Sequence, residues 1–190
     1  MNKPFIADQT FKGQDFTKIR LQKGEYENCI FEGCDFSNGY VDNQNFMECE
    51  FIECNFSNAN ITQTIFKEVT FSHCKMMGLK FEDCNDFLLS FSFNNCVLNF
   101  SSFYQLKLKN RSFIECKLIE VDFTETDLTE AIFNACNLEK TTFANSILEK
   151  ADFISSFNFN IDPERNRLKK AKFSKENIDG LLSKYDIIIG

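Results

Sequence analysis

Tryptophan is absent from this 190-residue chain, histidine occurs once, proline twice, and the seven glycines are scattered. Each shortage closes off a class of function. With His73 as the only imidazole and no Gly-x-Ser-x-Gly elbow, no nucleophile–base pair is offered, and no catalytic residue is expected. Without a glycine-rich loop there is no cradle for the phosphates of a nucleotide, and no cofactor is expected. No stretch approaches the roughly 18 apolar residues of a membrane span. The Met-Asn-Lys-Pro start lacks the apolar segment of an export signal, so a cytoplasmic protein with no membrane contact is expected. A basic excess is missing too. The formal net charge of −7 argues against direct nucleic-acid binding, which rests on neutralising phosphates. Residues 1–160 carry 23 acidic and 14 basic side chains, residues 161–190 carry 5 and 7. The body is acidic and the tail slightly basic.

What the chain does have is phenylalanine, 24 of them, and nine cysteines, both in strict register. Phe31, Phe36, Phe46, Phe51, Phe56, Phe66, Phe71 and Phe81 are separated by multiples of five, and Cys29, Cys34, Cys49, Cys54 and Cys74 precede positions of this register by two. Neither a helix nor an ordinary strand has that period. Each five-residue unit points one large residue (the central position) and one small residue two places earlier inward, and turns the other three to water. A second frame, offset by two, runs through Phe93, Leu98, Phe103, Leu108, Phe113, Leu118 and Phe123 to Phe153. Residues 85–92 therefore hold a two-residue insertion, expected to bulge from one corner. Seventeen of the 24 phenylalanines are central in one frame or the other.

The cysteines could be read as metal ligands, in the pairs Cys29/Cys34 or Cys49/Cys54 with His73 beside Cys74. All nine, however, fill the small inward slot that Ala, Ser, Thr and Val fill elsewhere. They are expected to be reduced, buried and free of metal. Charged groups on the surface are the remaining candidates for function. Glu120, Asp122, Glu125, Asp127 and Glu130 crowd five carboxylates into eleven residues, and Glu48, Glu50 and Glu53 form a further set. Such rows either keep a rod soluble or present a DNA-like potential to a basic cleft.

Segments such as Thr-Asp-Leu-Thr-Glu (126–130) and Ala-Asp-Phe-Ile-Ser (151–155) resemble the pentapeptide-repeat superfamily over residues 6–157. That resemblance implies an all-β, right-handed quadrilateral β-helix over residues 1–160, four units to the coil. Cys34, Cys54, Cys74, Cys96, Cys116 and Cys136 then share one face, allowing for the insertion. Residues 161–190 are expected to cap it. Pro163 should stop the repeat, and Ser174 should N-cap a short helix through Leu182. The tail, with Asn-Ile-Asp-Pro-Glu-Arg-Asn-Arg (160–167), Lys-Ala-Lys-Phe-Ser (170–174) and Gly-Leu-Leu (180–182), is similar to that of the Qnr-type quinolone-resistance and microcin-immunity group. What this implies is a homodimer through the tail, with Ile178, Leu181, Leu182, Tyr185, Ile187, Ile188 and Ile189 as cap or dimer residues. It also implies partnership with DNA gyrase or topoisomerase IV and protection of these enzymes from poisons. The long projecting loops of the Gram-negative Qnr proteins have no counterpart here beyond the bulge at 85–92.

Overall fold

A computed structural model describes residues 3–87 and 89–188. Within them the chain is an all-β solenoid of parallel strands. One sheet stacks Phe5–Ala7, Glu25–Glu27, Asn45–Met47 and Ile65–Lys67. A second, of seven strands, runs from Thr10–Lys12 through Ile30–Glu32, Glu50–Ile52, Val69–Ser72, Phe91–Asn94 and Ser112–Ile114 to Ile132–Asn134. The register gives the period of the coil: Phe11 pairs with Phe31, Phe31 with Phe51, Phe51 with Phe71. Twenty residues therefore return the chain to the same place. Phe71 pairs with Phe93, a step of 22, and the regular step resumes from Phe93 to Phe113 and Phe133. Sheet pairing restarts at Phe91, so the two extra residues lie in 85–90.

Strands are short because each side of a coil has only five residues. Around each central residue the backbone is extended, and two residues later it turns with positive φ, as at Glu48 (53°), Glu53 (54°), Glu125 (57°) and Lys150 (59°). Left-handed backbone is costly for residues other than glycine. Here the neighbouring coil imposes it, since Glu48 and Glu53 each donate their N–H to the coil above, to Lys67 O and Ser72 O at 2.9 Å. The Asp or Asn before the central residue closes the turn that follows. Asp35, Asn55, Asp122, Asp127 and Asp152 each accept, on Oδ1, the N–H two residues on.

The core is a set of ring columns. Phe31, Phe51 and Phe71 stack at 4.7 and 5.2 Å, and Phe46 meets Phe51 edge-on at 5.2 Å and 81°. Such contacts add about 0.5–1.5 kcal/mol per pair beyond area burial. The small slot holds more than a size requirement. Cys54 Sγ donates to Phe31 O, Cys74 Sγ to Phe51 O, Thr64 Oγ1 to Val41 O and Ser146 Oγ to Phe123 O, always to a carbonyl 23 residues back. Cys, Ser and Thr are interchangeable there because each is small and carries an S–H or O–H. Cys54→Ser should therefore melt close to the parent, whereas Cys54→Ala should lose about 1 kcal/mol, the net worth of a buried hydrogen bond. Equal losses in thermal melts would show that size alone matters.

The C-terminal end departs from expectation twice. Pro163 does not stop the coil, because Ile147 bridges to Arg167, Asp152 to Lys172, and Phe153 stacks on Phe173 at 5.3 Å. Pro163 is exposed and takes the second place of the turn that Arg165 N closes onto Asp162 O (3.2 Å), where proline's fixed φ fits and its N–H is not needed. Second, the residues after Ser174 form two short 3₁₀ turns, Ile178–Leu181 and Ser183–Tyr185, in place of the expected helix. Ser174 Oγ does accept the Asn177 N–H at 3.2 Å. Two contacts tie the segment to the solenoid: Ile161 N donates to Gly180 O (2.9 Å) and Asn177 Nδ2 to Ser156 O (3.1 Å). Within the segment the backbone closes the tighter 3₁₀ turns, as from Leu182 N to Asp179 O and from Tyr185 N to Leu182 O.

Candidate functional site

Stacking places the expected carboxylates in two unlike settings. Glu120, Glu125 and Glu130 stand at exposed left-handed corners, and Asp122 and Asp127 are half-buried turn residues. Lysines one coil away cover much of this set. Lys140 lies 3.5 Å from Glu120, Lys109 3.2 Å from Asp127, Lys150 pairs with Glu130, and Gln105 Nε2 donates to Glu125 at 2.6 Å. Partial burial works to raise the pKa of Asp127, but hydrogen bonds from Thr129 and Lys109 outweigh it and hold the carboxyl below its usual range. The hydrogen bond from Lys150 does the same for Glu130. These carboxylates are knitted into the surface.

The set at Glu48, Glu50 and Glu53 differs. All three are exposed, Glu48 and Glu53 on adjoining corners and Glu50 on the strand between them. Among the described residues none has a basic group within salt-bridge distance, whereas Glu32 one coil below is paired with Lys12 at 2.6 Å. Glu68 stands one coil above Glu48 at the same corner, since Met47 pairs with Lys67. Among the described residues these four form an acidic patch without salt-bridge partners.

Thiol chemistry has no opening. All nine cysteines are buried and free, and burial pushes the Cys49 thiol up to about 12. His73 is exposed at a corner with φ 56°. Among the described residues no three His, Cys, Asp or Glu side chains converge as a metal group would require, and no helix is long and apolar enough to cross a membrane.

The tail residues divide between two roles. Leu181 packs on the core, and Leu182 is half-buried beside it. Ile178, Tyr185, Ile187 and Ile188 are exposed, Ile188 completely. Ile189 lies outside the described residues. A polar clasp holds this lid down: Lys184 Nζ is 2.7 Å from both Asp162 and Glu164, and Tyr185 Oη donates to Glu164 at 2.9 Å. The hydrogen bond from Lys184 lowers the pKa of both carboxyls, most directly for Asp162. Burial pulls Lys184 down, but its two carboxylate partners more than offset this and raise it. Depressed carboxyls stabilise the fold above their ordinary pKa values of 3.8 and 4.5, and that contribution disappears as pH falls through the lowered ones. The raised lysine loses its contribution only as pH climbs through its folded pKa, above 10.5. Protection of the Ile161 amide against hydrogen exchange should therefore hold steady near neutrality and fall once the pH drops below about 4. Protection unchanged down to pH 2 would remove the clasp from the account.

Sequence reasoning missed Arg111, which occupies a small inward slot of the second frame. The signal was available, because it breaks the frame's own rule for that slot.

Comparison with known proteins matches this arrangement closely in architecture. The family model for the pentapeptide repeat region covers residues 87–181, and that for pentapeptide repeats (8 copies) covers 29–67 and 45–83. No curated protein matches the chain. Two trypsin-treated forms of QnrB1, a plasmid-mediated fluoroquinolone resistance protein, superpose with TM-scores of 0.65 and 0.57 at 18% and 17% identity. They cover 100% and 98% of this chain, and 93% and 100% of their own. HetL, a pentapeptide repeat protein involved in heterocyst differentiation regulation from the cyanobacterium Nostoc sp., superposes at 0.59 with 14% identity, over 89% of this chain and 86% of its own. At these identities the likeness speaks to fold.

Proposed function

Because the chain belongs to the pentapeptide-repeat family, we propose that it works by binding alone, as an acidic rod that engages type II topoisomerases, DNA gyrase or topoisomerase IV. It shields them there from quinolone or peptide poisons in the cytoplasm. The observation that carries this reading is the patch of carboxylates at Glu48, Glu50, Glu53 and Glu68, spread over two adjoining corners and two stacked coils and facing water. A row of fixed negative charge on a stiff rod offers a basic DNA-binding cleft the same steering that DNA does. Likeness to QnrB1 over the whole chain supports it. A corner every five residues on a 20-residue coil supports a quadrilateral form for the rod, and membership of the family supports a right-handed one. Exposed Ile178, Tyr185, Ile187 and Ile188 support a homodimer formed through the tail.

A second reading, a protein-interaction scaffold with no topoisomerase role, draws support from the lysines that cover Glu120, Asp127 and Glu130. Gyrase supercoiling with and without ciprofloxacin separates the two. Micromolar protein should restore supercoiling in the presence of the drug. Neither protection nor inhibition would leave the scaffold standing.

A further inference from the structure

Arg111 is the one charged side chain in the small inward slot of either frame between Gly24 and Ala171. The insertion admits it. Phe91 fills the slot of the coil below, and Arg111 Nη2 donates to Leu89 O, in the stretch that holds the extra residues, at 3.4 Å. That is one long bond for a group with five donors. Its Nε is buried without a partner. Among the described residues no carboxylate lies within salt-bridge distance of it, although Glu32, Asp42, Glu120, Asp127, Glu130, Glu149 and Asp152 all have one basic partner or more. A half-buried guanidinium without a counter-charge is costly to keep.

Beside it lies an open hollow of about 220 Å³. Its lining is uncharged but for Arg111 and one rim carboxylate: the hydroxyls of Thr70, Ser90, Ser92 and Ser112, and the amide of Asn110. Solenoid register stacks Thr70 under Ser92, with their oxygens 3.3 Å apart. The geometry points to a binding site for a carboxylate group, with the Arg111 guanidinium as its ionic partner and the serine hydroxyls as neutral donors. A guanidinium fork matches a carboxylate's two oxygens. Glu68 on the rim is exposed and carries the same charge as the ligand, so it favours a monoanion over a dianion. The hollow adjoins the acidic patch, sharing Glu68 with it and placing Thr70 one coil above Glu50, but its ionic partner is Arg111 and its ligand is an anion, so it does not rest on the topoisomerase reading.

The test follows the side-chain Nε–H signal of Arg111 by NMR in the full chain labelled with ¹⁵N-arginine, identified by its loss in Arg111→Lys. Acetate should shift the signal saturably, about tenfold more tightly than chloride at equal ionic strength and more tightly than inorganic phosphate. Ser92→Ala with Ser112→Ala should weaken the acetate response several-fold, and Glu68→Gln should strengthen it. A blocked Gly-Glu-Gly peptide that binds at least as well as acetate assigns the site to a partner's acidic side chain, and a peptide that fails assigns it to a small free acid; both keep the carboxylate. No saturable shift, or phosphate binding as tightly as acetate, overturns the proposal. So does a signal that moves on Glu68→Gln alone, because Glu68 would then be the guanidinium's own partner.

Discussion

Phe51→Ala should destabilise the protein by about 3–5 kcal/mol, the range for truncating a fully buried phenylalanine in a core that collapses poorly. Phe51 is completely buried and lies between Phe31 and Phe71 in its own column. Phe46 and Phe56 meet it edge-on, at 5.2 and 5.1 Å. The backbone is pinned above and below by the neighbouring coils. The hole should stay open. Phe16→Ala supplies the comparison, because Phe16 is only half-buried, in the first coil with nothing stacked before it. Urea denaturation should show a much smaller loss there. Equal losses would mean that the columns do not carry the fold.

Gly180→Ala should cost about 1–3 kcal/mol or more, as overpacking does. A Cβ at Gly180 would sit 2.3 Å from Phe159 O and 2.6 and 2.7 Å from two atoms of its ring. All three are closer than real Cβ contacts come, and the Phe159 backbone belongs to the last coil. To accept a methyl group, the lid must lift, breaking the bond from Ile161 N to Gly180 O. Leu181 then leaves the core and the clasp at Lys184 loosens. Gly13→Ala is the control: nothing lies within 4 Å, and only its φ of +57° resists substitution, a penalty of about 1 kcal/mol. Limited proteolysis should cut the Gly180→Ala lid well before that of Gly13→Ala. Equal resistance in both would show that the lid does not depend on close contact at Gly180.

Much of the rod was legible because the period is a global property. Phenylalanine and cysteine two places earlier, recurring at steps of five, specify the inward slots and the position of the insertion without any local structural preference, and the family resemblance supplied four units to the coil. Other features depended on neighbours the sequence does not show. The cysteines read as small apolar filler because their shared trait with Ser and Thr, a proton to donate, matters only once a carbonyl 23 residues back is in reach. Pro163 read as a terminator by the rule for proline, but it sits in an exposed turn that needs no N–H from it. The tail read as a helix from Ser174 and its apolar spacing, whereas the folded segment closes only short 3₁₀ turns and is tied to the last coil through Asn177 and Gly180. The acidic sets looked alike in sequence. Only the stacking of coils shows that lysines 18 to 20 residues away cover Asp127, Glu120 and Glu130, and leave Glu48, Glu50 and Glu53 bare.

That difference makes the central claim testable by one measurement: binding of the protein to DNA-free gyrase, followed by calorimetry, for the parent and the triple variant Glu48→Gln, Glu50→Gln, Glu53→Gln. The parent should bind, more weakly as salt rises, and the triple variant should lose most of that affinity while melting at the parent's temperature. Glu120→Gln with Glu130→Gln should bind like the parent. A parent that does not bind gyrase, or a triple variant that binds as well as the parent, would contradict the account.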